Sequence, residues 1–276
     1  MQSIVFIGGG NMTTSLISGL RNAGWAGDAI TVIDHNADKR ERLAGQYRVT
    51  TAARAEAAHL AADAVVLAVK PQVMAETVRA LAPVFGDARP LILSIAAGIP
   101  LAALRGWLGA DFAYVRCMPN TPSLLGVGAT GLYADQATTA EQRELADTVM
   151  ATAGLNAWVD DESLIDAVIA TSGSGPAYFF AFMEAMMAGA RDLGLDKTAA
   201  RDLVLQTALG AARMATESGD DPGTLRKKVT SKGGTTAAAL AHFEAGDLNA
   251  LVAGAMHAAS DRAAGLALEL SDSESS

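Results

Sequence analysis

The sequence contains one cysteine, Cys117, in 276 residues. A single cysteine excludes an internal disulfide and a zinc site built from several cysteines. We expect Cys117 to be a small core residue rather than a reactive thiol. The four histidines lack metal-ligand spacing and do not accompany a nucleophile motif. The sequence therefore predicts no metal site and disfavours hydrolysis by a catalytic triad.

Positive charge and long apolar runs are also scarce. The chain has 21 lysines and arginines against 30 acidic residues, a formal net charge of −9, whereas binding to a phosphate backbone needs a basic surface. No apolar run reaches the roughly 18 residues of a membrane-spanning helix. The opening residues, MQSIVFIGGGN, lack the cationic region and cleavage site of a signal peptide. We expect a cytoplasmic protein that binds neither nucleic acid nor a membrane.

Aromatic residues make up only 5% of the chain, although half of its residues are apolar. Together with 27 glycines, this composition favours closely packed helices and tight turns over a β-sandwich. A chain of this length indicates two domains, at about 100 to 200 residues each. The last residues, SDSESS (271–276), are expected to form a solvated tail.

The first half of the sequence alternates uniformly apolar strands with helix-compatible segments. The predicted strands cover 3–8, 29–34, 64–69, 91–95 and 112–118, followed by a hairpin-like stretch at 126–134, a helix at 139–153 and a short strand at 156–159. Such strands are buried on both faces, and their alternation with crossover helices indicates an α/β fold with a Rossmann-type, doubly wound parallel sheet. We place the domain boundary between residues 159 and 160.

The second half has no strand pattern and is predicted to be all α. Its predicted helices cover 161–193, 196–218, 222–229, 235–244 and 247–270, with Asp196, Asp247 and the pair Asp221-Pro222 marking helix starts. The stretch from Tyr178 to Met187 is apolar around nearly the whole helix, so we expect it to be buried between subunits. An ordinary core within the domain is the alternative.

The turn GGGNMT at 8–13 stands between a predicted strand and a helix, which is the context of a dinucleotide-binding turn. Gly8 would permit the tight turn, and Gly10 would let a pyrophosphate approach backbone N–H groups at the helix N-terminus. Thr13 stands where a smaller residue usually allows close packing, so we expect a wider crossing of helix and strand there. A plain glycine-rich connection remains open as an alternative.

Asp34 ends the second predicted strand, where an acidic side chain accepts hydrogen bonds from an adenosine ribose and favours NAD. The following residues can instead accommodate a 2′-phosphate: His35, Asn36, Lys39 and Arg40. The choice between NADH and NADPH therefore stays open, and so does a plain turn role for Asp34. Two loops at later strand ends, 69–71 and 96–98, should face the same crevice, where Lys70 could donate to a ribose or phosphate oxygen.

Two glycine-rich breaks interrupt the helical half. The sequence SGSGP at 172–176 either exposes backbone N–H groups to a ligand or kinks the chain where helices cross. The sequence TSKGGTT at 230–236 precedes a predicted helix. N–H groups of Gly234, Thr235 and Thr236 could bind a substrate carboxylate at the positive end of that helix. Two threonines that simply cap a helix are the alternative.

Six motifs occur in order along the chain: FIGGGNM at 6–12, AVKP at 68–71, SIAAG at 94–98, RCMPNTP at 116–122, SGSGPAY at 172–178 and KGGTT at 232–236. With them the chain resembles the pyrroline-5-carboxylate reductase family over nearly its full length. The resemblance implies hydride transfer from NADPH or NADH to the imine carbon of 1-pyrroline-5-carboxylate, giving L-proline. It also implies a dinucleotide-binding domain (1–159), an interleaved helical dimerisation domain (160–276) and often a ring of dimers.

The resemblance also suggests site residues. The candidate cofactor residues are Ile7, Gly8, Gly9, Gly10, Asn11, Met12, Asp34, His35, Ala68, Val69, Lys70, Pro71, Ile95, Ala96, Ala97 and Asn120. The candidate substrate residues are Ser174, Gly175, Gly234, Thr235 and Thr236, with Thr236 as the catalytic residue near the ring nitrogen. Lys232 departs from the family, which usually has proline there, and either adds a cation or loosens the loop.

Two other functions remain open from the residues. A β-hydroxyacid dehydrogenase or imine reductase of related architecture would need a catalytic lysine in the helical domain. There Lys197 begins a predicted helix, and Lys227 and Lys228 are expected to be solvated. A nucleotide-sensing protein without turnover would keep the GGGNM turn but would not need the KGGTT site.

Overall fold

The computed structural model describes residues 2–272, and for 270–272 the backbone alone. The predicted solvated tail at 271–276 therefore lies outside the described side chains. The chain forms two compact units, one of residues 1–174 with 258–276 and one of residues 175–257. These units are defined by contacts within one chain, so the functional division at residues 159 and 160 stays a prediction.

The first unit contains one eight-stranded sheet with the strand order β3-β2-β1-β4-β5-β6-β7-β8. Its strands are β1 Ile4–Ile7, β2 Ile30–Ile33, β3 Thr50–Ala52, β4 Ala64–Leu67, β5 Leu91–Ser94, β6 Tyr114–Met118, β7 Gly128–Ala134 and β8 Gly154–Trp158. All neighbouring pairs are parallel except β6 with β7. The order reverses between β1 and β4, which creates a crevice at the strand ends. The predicted Rossmann-type fold is thereby confirmed.

Helices connect these strands and make up the second unit. In the first unit they are α1 Asn11–Asn22, α2 Ala37–Tyr47, α3 Ala57–Leu60, α4 Met74–Leu81, α5 Leu101–Leu108, α6 Ala140–Ala151 and α7 Leu164–Val168. The later helices are α8 Gly175–Asp192, α9 Lys197–Glu217, α10 Pro222–Lys228, α11 Thr235–Ala245 and α12 Leu248–Asp272, of which α12 continues into the first unit. The all-α character predicted for the later part of the chain is confirmed.

Two parts of the sheet differ from the sequence prediction. Strand β3 was not predicted, because it has only three residues, Thr50, Thr51 and Ala52. The stretch expected to be hairpin-like contains one strand, β7, which runs antiparallel to β6 with Val115 opposite Ala134. The local apolar pattern does not encode strand direction, since that depends on the neighbour with which a strand pairs.

The core lies on both faces of the sheet because successive strand residues point to opposite sides. Ile4 and Phe6 of β1 face one apolar layer, and Val5 and Ile7 face the other. Cys117 is fully buried in the first layer, and burial raises the pKa of its thiol well above the ordinary value. The expectation that Cys117 is a core residue is confirmed.

Side chains cap the predicted helix starts in the second unit. Asp196 accepts hydrogen bonds from the N–H groups of Thr198 and Ala199 at 2.8 and 2.9 Å. Asp221 accepts one from Thr224 before a helix that begins with proline. Each capping acceptor satisfies N–H groups that the first helical turn leaves unpaired, which fixes where the helix begins.

The helix α8 exposes much of its apolar surface in the single chain. Phe179 is 68% exposed and Phe180 is 58% exposed, and Phe182 and Met186 are also exposed. An apolar surface of this kind typically marks an interaction site. It is the surface for which the sequence predicts burial between subunits.

Helix α1 approaches the end of α6 so closely that Gly19 has no room for a side chain. A Cβ atom at Gly19 would clash with the carbonyl oxygen of Thr152. Gly45, on helix α2, has nothing within 4 Å of the same position. The two glycines therefore differ in packing while both are helical.

We expect Gly19→Ala to lower the free energy of unfolding by about 1 to 3 kcal/mol, because the extra methyl forces the backbone of α1 away from α6. Gly45→Ala is the matched control and should be neutral or stabilise by up to about 1 kcal/mol, because alanine favours a helix. Denaturant unfolding of both variants measures the difference. Equal effects in the two variants would contradict the close approach.

Candidate cofactor and substrate sites

A cavity of about 490 Å³ lies at the carboxyl ends of β1, β2 and β4. Its lining includes nine of the predicted cofactor residues: Ile7, Gly8, Gly9, Gly10, Asp34, His35, Ala68, Val69 and Lys70. It also includes residues with no predicted site role: Ile33, Ala53, Gln72, Val73 and Thr77. Ala53 directly follows β3, a strand that the sequence does not predict, which explains why the sequence analysis assigns no site role to Ala53.

Gly8 sits where only glycine fits. Its φ is +105°, and a Cβ atom there would lie 2.8 Å from the carbonyl oxygen of Ala68. Its N–H group donates a hydrogen bond to the carbonyl oxygen of Ile33 at 2.8 Å. The turn after β1 is therefore held against both neighbouring strands, β2 and β4.

The carboxylate of Asp34 holds the next residue of the turn. Its Oδ2 accepts a hydrogen bond from the N–H of Gly9 at 2.7 Å, and its Oδ1 accepts one from the N–H of Asn36 at 2.8 Å. The ammonium of Lys39 lies 3.5 Å from Oδ2. Burial alone would raise the pKa of Asp34, but these two N–H groups and Lys39 outweigh it and hold the pKa below its ordinary value.

The N-terminus of α1 is the part of the turn that remains available to an anion. Gly10 is the N-cap residue, and a Cβ atom there would meet nothing within 4 Å. The first-turn N–H groups that follow have no acceptor within the helix. Because Gly8 and Gly9 already donate to protein acceptors, a pyrophosphate would be held by the N–H groups around Asn11 and Met12.

Thr13 closes the turn from the helix side. It is fully buried, and its hydroxyl donates a hydrogen bond to the carbonyl oxygen of Gly8 at 2.6 Å. The residue that departs from the family pattern thus bonds to the turn itself. The wider helix crossing expected from Thr13 stays a prediction.

The remaining candidate cofactor residues lie outside the lining of this cavity. They are Asn11, Met12, Pro71, Ile95, Ala96, Ala97 and Asn120. The segment from Ile95 to Ala97 directly follows β5, at the same edge of the sheet. Contact between these residues and a cofactor stays a prediction.

Asn120 is buried and uses its side chain to connect parts of the first unit. Its Nδ2 donates a hydrogen bond to the carbonyl oxygen of Ser172 at 2.9 Å, and its Oδ1 accepts one from the N–H of Ala129 at 2.9 Å. Asn120 therefore positions the loop after β6 against β7 and against the break in the helices.

The predicted break at SGSGP is a π-helical turn over Ile169–Gly173. The N–H of Ser174 donates to the carbonyl oxygen of Ile169 at 2.8 Å, a bond that spans five residues. Gly173 lies against β6, since a Cβ atom there would be 3.2 Å from the terminal carbon of Met118. Turns of this kind are rare and occur frequently at functional sites.

A buried ion pair that the sequence analysis did not assign lies beside this region. Arg116 of β6 is 4% exposed, and its Nη1 donates to Oε1 of Glu162 at 3.1 Å. The same oxygen accepts the N–H of Leu101, the first residue of α5, at 2.8 Å. The Nε and Nη2 atoms of Arg116 are buried without a hydrogen-bond partner. Glu162 therefore joins β6 to the starts of α5 and α7.

We expect Glu162→Ala to lower the free energy of unfolding by about 2 to 4 kcal/mol, because it leaves the Arg116 guanidinium buried and unpaired. The partial exposure of Glu162 sets the lower end of that range. Glu217→Ala, which removes the exposed partner of Arg213, is the control and should cost less than about 1 kcal/mol. Chemical denaturation tests both, and a loss at Glu162 no larger than at Glu217 would contradict the proposed role.

The second unit contains the turn before α11. Gly233 has a φ of +72°, and Gly234 is the N-cap residue of a helix that begins at Thr235. The N–H of Gly234 donates to the carbonyl oxygen of Ser231 at 3.1 Å. Thr235 is exposed and Thr236 is half-buried. The backbone expected of an anion site is present, while binding of a carboxylate there stays a prediction.

The described part of the chain also bears on metal binding, membrane insertion and the dehydrogenase alternative. Among the side chains described, those of residues 2–269, no group of three or more histidine, cysteine and acidic residues is arranged to hold a metal ion. None of the helices described is both long and apolar enough to span a bilayer. Lys228, one of the lysines present in the helical domain, where the dehydrogenase alternative needs a catalytic lysine, forms an exposed ion pair with Asp220 at 2.5 Å.

Two family models match the chain. One describes pyrroline-5-carboxylate reductase dimerisation and matches residues 162–266, and the other describes a coenzyme F420-dependent NADP oxidoreductase and matches residues 3–98. The pyrroline-5-carboxylate reductase of Pseudomonas aeruginosa is 49% identical over 97% of each chain. That of Haemophilus influenzae is 44% identical over 94% of this chain and 95% of the relative.

The fold is also similar to solved structures. A pyrroline-5-carboxylate reductase from Coxiella burnetii has a TM-score of 0.93 and 41% sequence identity, covering 96% of this chain and 98% of that chain. The similarity therefore extends over both compact units.

Proposed function

The chain belongs to the pyrroline-5-carboxylate reductase family, and we propose that its two glycine-rich turns divide the binding of cofactor and substrate. It is an NAD(P)H-dependent oxidoreductase that reduces 1-pyrroline-5-carboxylate to L-proline. The observation that carries this function is the identity of 49% over 97% of the chain. An alignment of that length includes residues of both compact units.

The crevice at β1, β2 and β4 fits a nicotinamide dinucleotide. Gly8 lets the turn approach β4, and the open N-cap at Gly10 leaves room for a pyrophosphate beside the first-turn N–H groups of α1. Residues 68–71 and 95–97 would line the nicotinamide half. When bound, this cofactor supplies the hydride, and the protein residues supply binding and orientation.

The turn before α11 is the proposed substrate site. The N–H groups of Thr235 and Thr236 would bind the substrate carboxylate, because the N-terminus of a helix attracts anions. Gly234 would hold the turn, since its N–H donates to the carbonyl oxygen of Ser231. Ser174 and Gly175 would contribute from the break before α8. A fixed carboxylate orients the ring, and orientation can supply much of the rate enhancement.

Thr236 is the proposed catalytic residue. A protonated imine is already electrophilic, so the reaction needs no strong dedicated acid. The Thr236 hydroxyl, with water, would manage the proton at the ring nitrogen. This role is supported by the position of Thr236 in the first turn of α11.

We expect Thr236→Ala to lower kcat/KM for 1-pyrroline-5-carboxylate by about tenfold or more, the effect of losing one hydrogen bond to a charged group. The affinity for cofactor should stay nearly unchanged. Thr216→Ala is the matched control, because the Thr216 hydroxyl only bonds to backbone carbonyls of its own helix. Oxidation of NAD(P)H measures the rates, and an unchanged kcat/KM in Thr236→Ala would refute the role.

The same assay tests the function itself. The purified wild-type chain should oxidise NAD(P)H when 1-pyrroline-5-carboxylate is added and should form L-proline in equal amount. A dehydrogenase acting on 3-hydroxy acids would instead reduce NAD(P)⁺ with those substrates. A protein that binds the cofactor but shows neither activity would overturn the proposed function.

The dimerisation domain indicates that the chain forms oligomers. We propose a homodimer interleaved through the helical domain and further assembly into a ring of dimers. The exposed apolar surface of α8 supports a subunit interface there. The cytoplasmic location expected from the sequence stays a prediction.

Light scattering on the purified protein should give a mass of at least twice the 28.3 kDa of one chain. Phe180→Glu should shift the mass toward the monomer, because a buried charge without a partner destabilises an apolar interface. Asp192→Lys, which changes one exposed charge at the end of the same helix and outside the stretch from Tyr178 to Met187, is the control. A wild-type monomer would contradict the proposed interface.

A further inference from the structure

We propose that Thr13 is a positioning residue for the cofactor: its hydroxyl keeps the N–H groups at the start of α1 available to a pyrophosphate. The inference rests on the proposed function of the crevice as a nicotinamide dinucleotide site. Thr13 is fully buried and does not line the cavity. It therefore acts through the glycine turn rather than by contact with the ligand.

The peptide group between Gly8 and Gly9 is held at both ends. Its N–H, on Gly9, donates to Oδ2 of Asp34 at 2.7 Å, and its carbonyl oxygen, on Gly8, accepts a hydrogen bond from the Thr13 hydroxyl at 2.6 Å. Neither glycine has a Cβ atom that would limit the rotation of this peptide group. The two hydrogen bonds, to the residue after β2 and from a residue of α1, therefore fix an orientation that glycine itself does not restrict.

The carbonyl oxygen of Gly8 is a potential competitor of the ligand. Gly10 is the N-cap residue and has no side chain to accept a bond, so the N–H groups of Asn11, Met12 and Thr13 have no acceptor within the helix. Met12 follows Gly8 by four residues, which is the spacing of a hydrogen bond in an α-helix. Gly8 is buried, and a buried carbonyl oxygen without a donor is unfavourable. Without the Thr13 hydroxyl, a small rearrangement of the turn would pair this oxygen with the Met12 N–H.

The Thr13 hydroxyl removes this competition. Because it donates to the Gly8 carbonyl oxygen, that acceptor needs no N–H group from the first turn of α1. The N–H groups around Asn11 and Met12 are then left to an anion at the helix N-terminus. A turn that is already in its binding conformation also loses less freedom when the ligand binds, which favours affinity.

Thr14, the next residue, provides a contrast. Its hydroxyl donates to the carbonyl oxygen of Gly10 at 3.0 Å, but that oxygen also accepts the N–H of Thr14 at 2.9 Å. Loss of the Thr14 hydroxyl would therefore leave the Gly10 carbonyl paired. Thr14→Val is the matched control for Thr13→Val, because it removes one hydroxyl from the same region of the helix without leaving a carbonyl oxygen unpaired.

Binding measurements on the full chain provide the first test. Titration calorimetry gives the Kd of NADPH and of ADP-ribose, which carries the pyrophosphate without the nicotinamide. We expect Thr13→Val to raise both Kd values by about threefold to tenfold, the effect of losing one ordinary hydrogen bond from the binding conformation. Thr13→Ser keeps the hydroxyl and should stay within about twofold of wild type, as should Thr14→Val. Unchanged Kd values in Thr13→Val, or an equal rise in Thr14→Val, would overturn the inference.

Kinetics separate a positioning role from general damage to the fold. With NADPH saturating, Thr13→Val should keep kcat and the KM for 1-pyrroline-5-carboxylate within about twofold of wild type, because the groups at the reacting atoms are unchanged. The KM for NADPH should rise together with its Kd. A fall in kcat as large as the loss of cofactor affinity would overturn the positioning role.

A second variant covers the case in which valine at position 13 prevents folding. Thr13→Ala also removes the hydroxyl, and a smaller residue is usual at this position of a dinucleotide-binding turn. It should raise the Kd of NADPH and of ADP-ribose as Thr13→Val does. Affinities equal to those of wild type in Thr13→Ala would overturn the inference on their own.

The design keeps the inference apart from the proposed function. If the wild-type chain binds NADPH but does not reduce 1-pyrroline-5-carboxylate, the proposed function fails, while the binding comparison still decides the role of Thr13. If the variants without the hydroxyl bind both ligands as wild type does and the wild-type chain forms L-proline, the inference fails and the proposed function stands. A wild-type chain that binds neither NADPH nor ADP-ribose would overturn both.

Discussion

The close approach of Gly8 to the carbonyl oxygen of Ala68 is the constraint on which the cofactor crevice depends. It brings the turn after β1 against β4, and the bonds from Gly8 to Ile33 and from Gly9 to Asp34 bring it against β2. Three strand ends and one helix N-terminus are thereby fixed around a single turn. The proposed site needs no large side chain there, because the backbone N–H groups would themselves bind the anion.

Much of the fold could be predicted because its strands are buried on both faces. A buried parallel strand must be apolar at every position, and runs such as IVFI and AVVL show this directly. Strand β3 lacks the signal, since it has three residues and lies at the edge of the sheet. The antiparallel direction of β7 could not be predicted either, because it arises from pairing with β6 rather than from the residues of β7 itself.

The candidate site, like the fold, has residues that the sequence predicts and residues that only the structure reveals. The glycine turn and Asp34 were predictable because a short motif between a strand and a helix determines the local backbone. The ion pair of Arg116 with Glu162 could not be predicted from the sequence. It joins residues 46 positions apart and depends on how β6, α5 and α7 pack. Asn120 shows the intermediate case: its motif was visible, but only the fold reveals that its amide connects Ala129 and Ser172.

Asp34 both lines the crevice and holds the glycine turn, and this restricts how its position can change in evolution. The carboxylate that lines the crevice also satisfies the backbone N–H of Gly9, so a lineage cannot exchange this residue freely without weakening the glycine turn. A replacement must either keep an acceptor for that N–H or arise together with a second change that supplies one. Descendants that change position 34 should therefore also differ from this chain at a second residue near the N–H of Gly9.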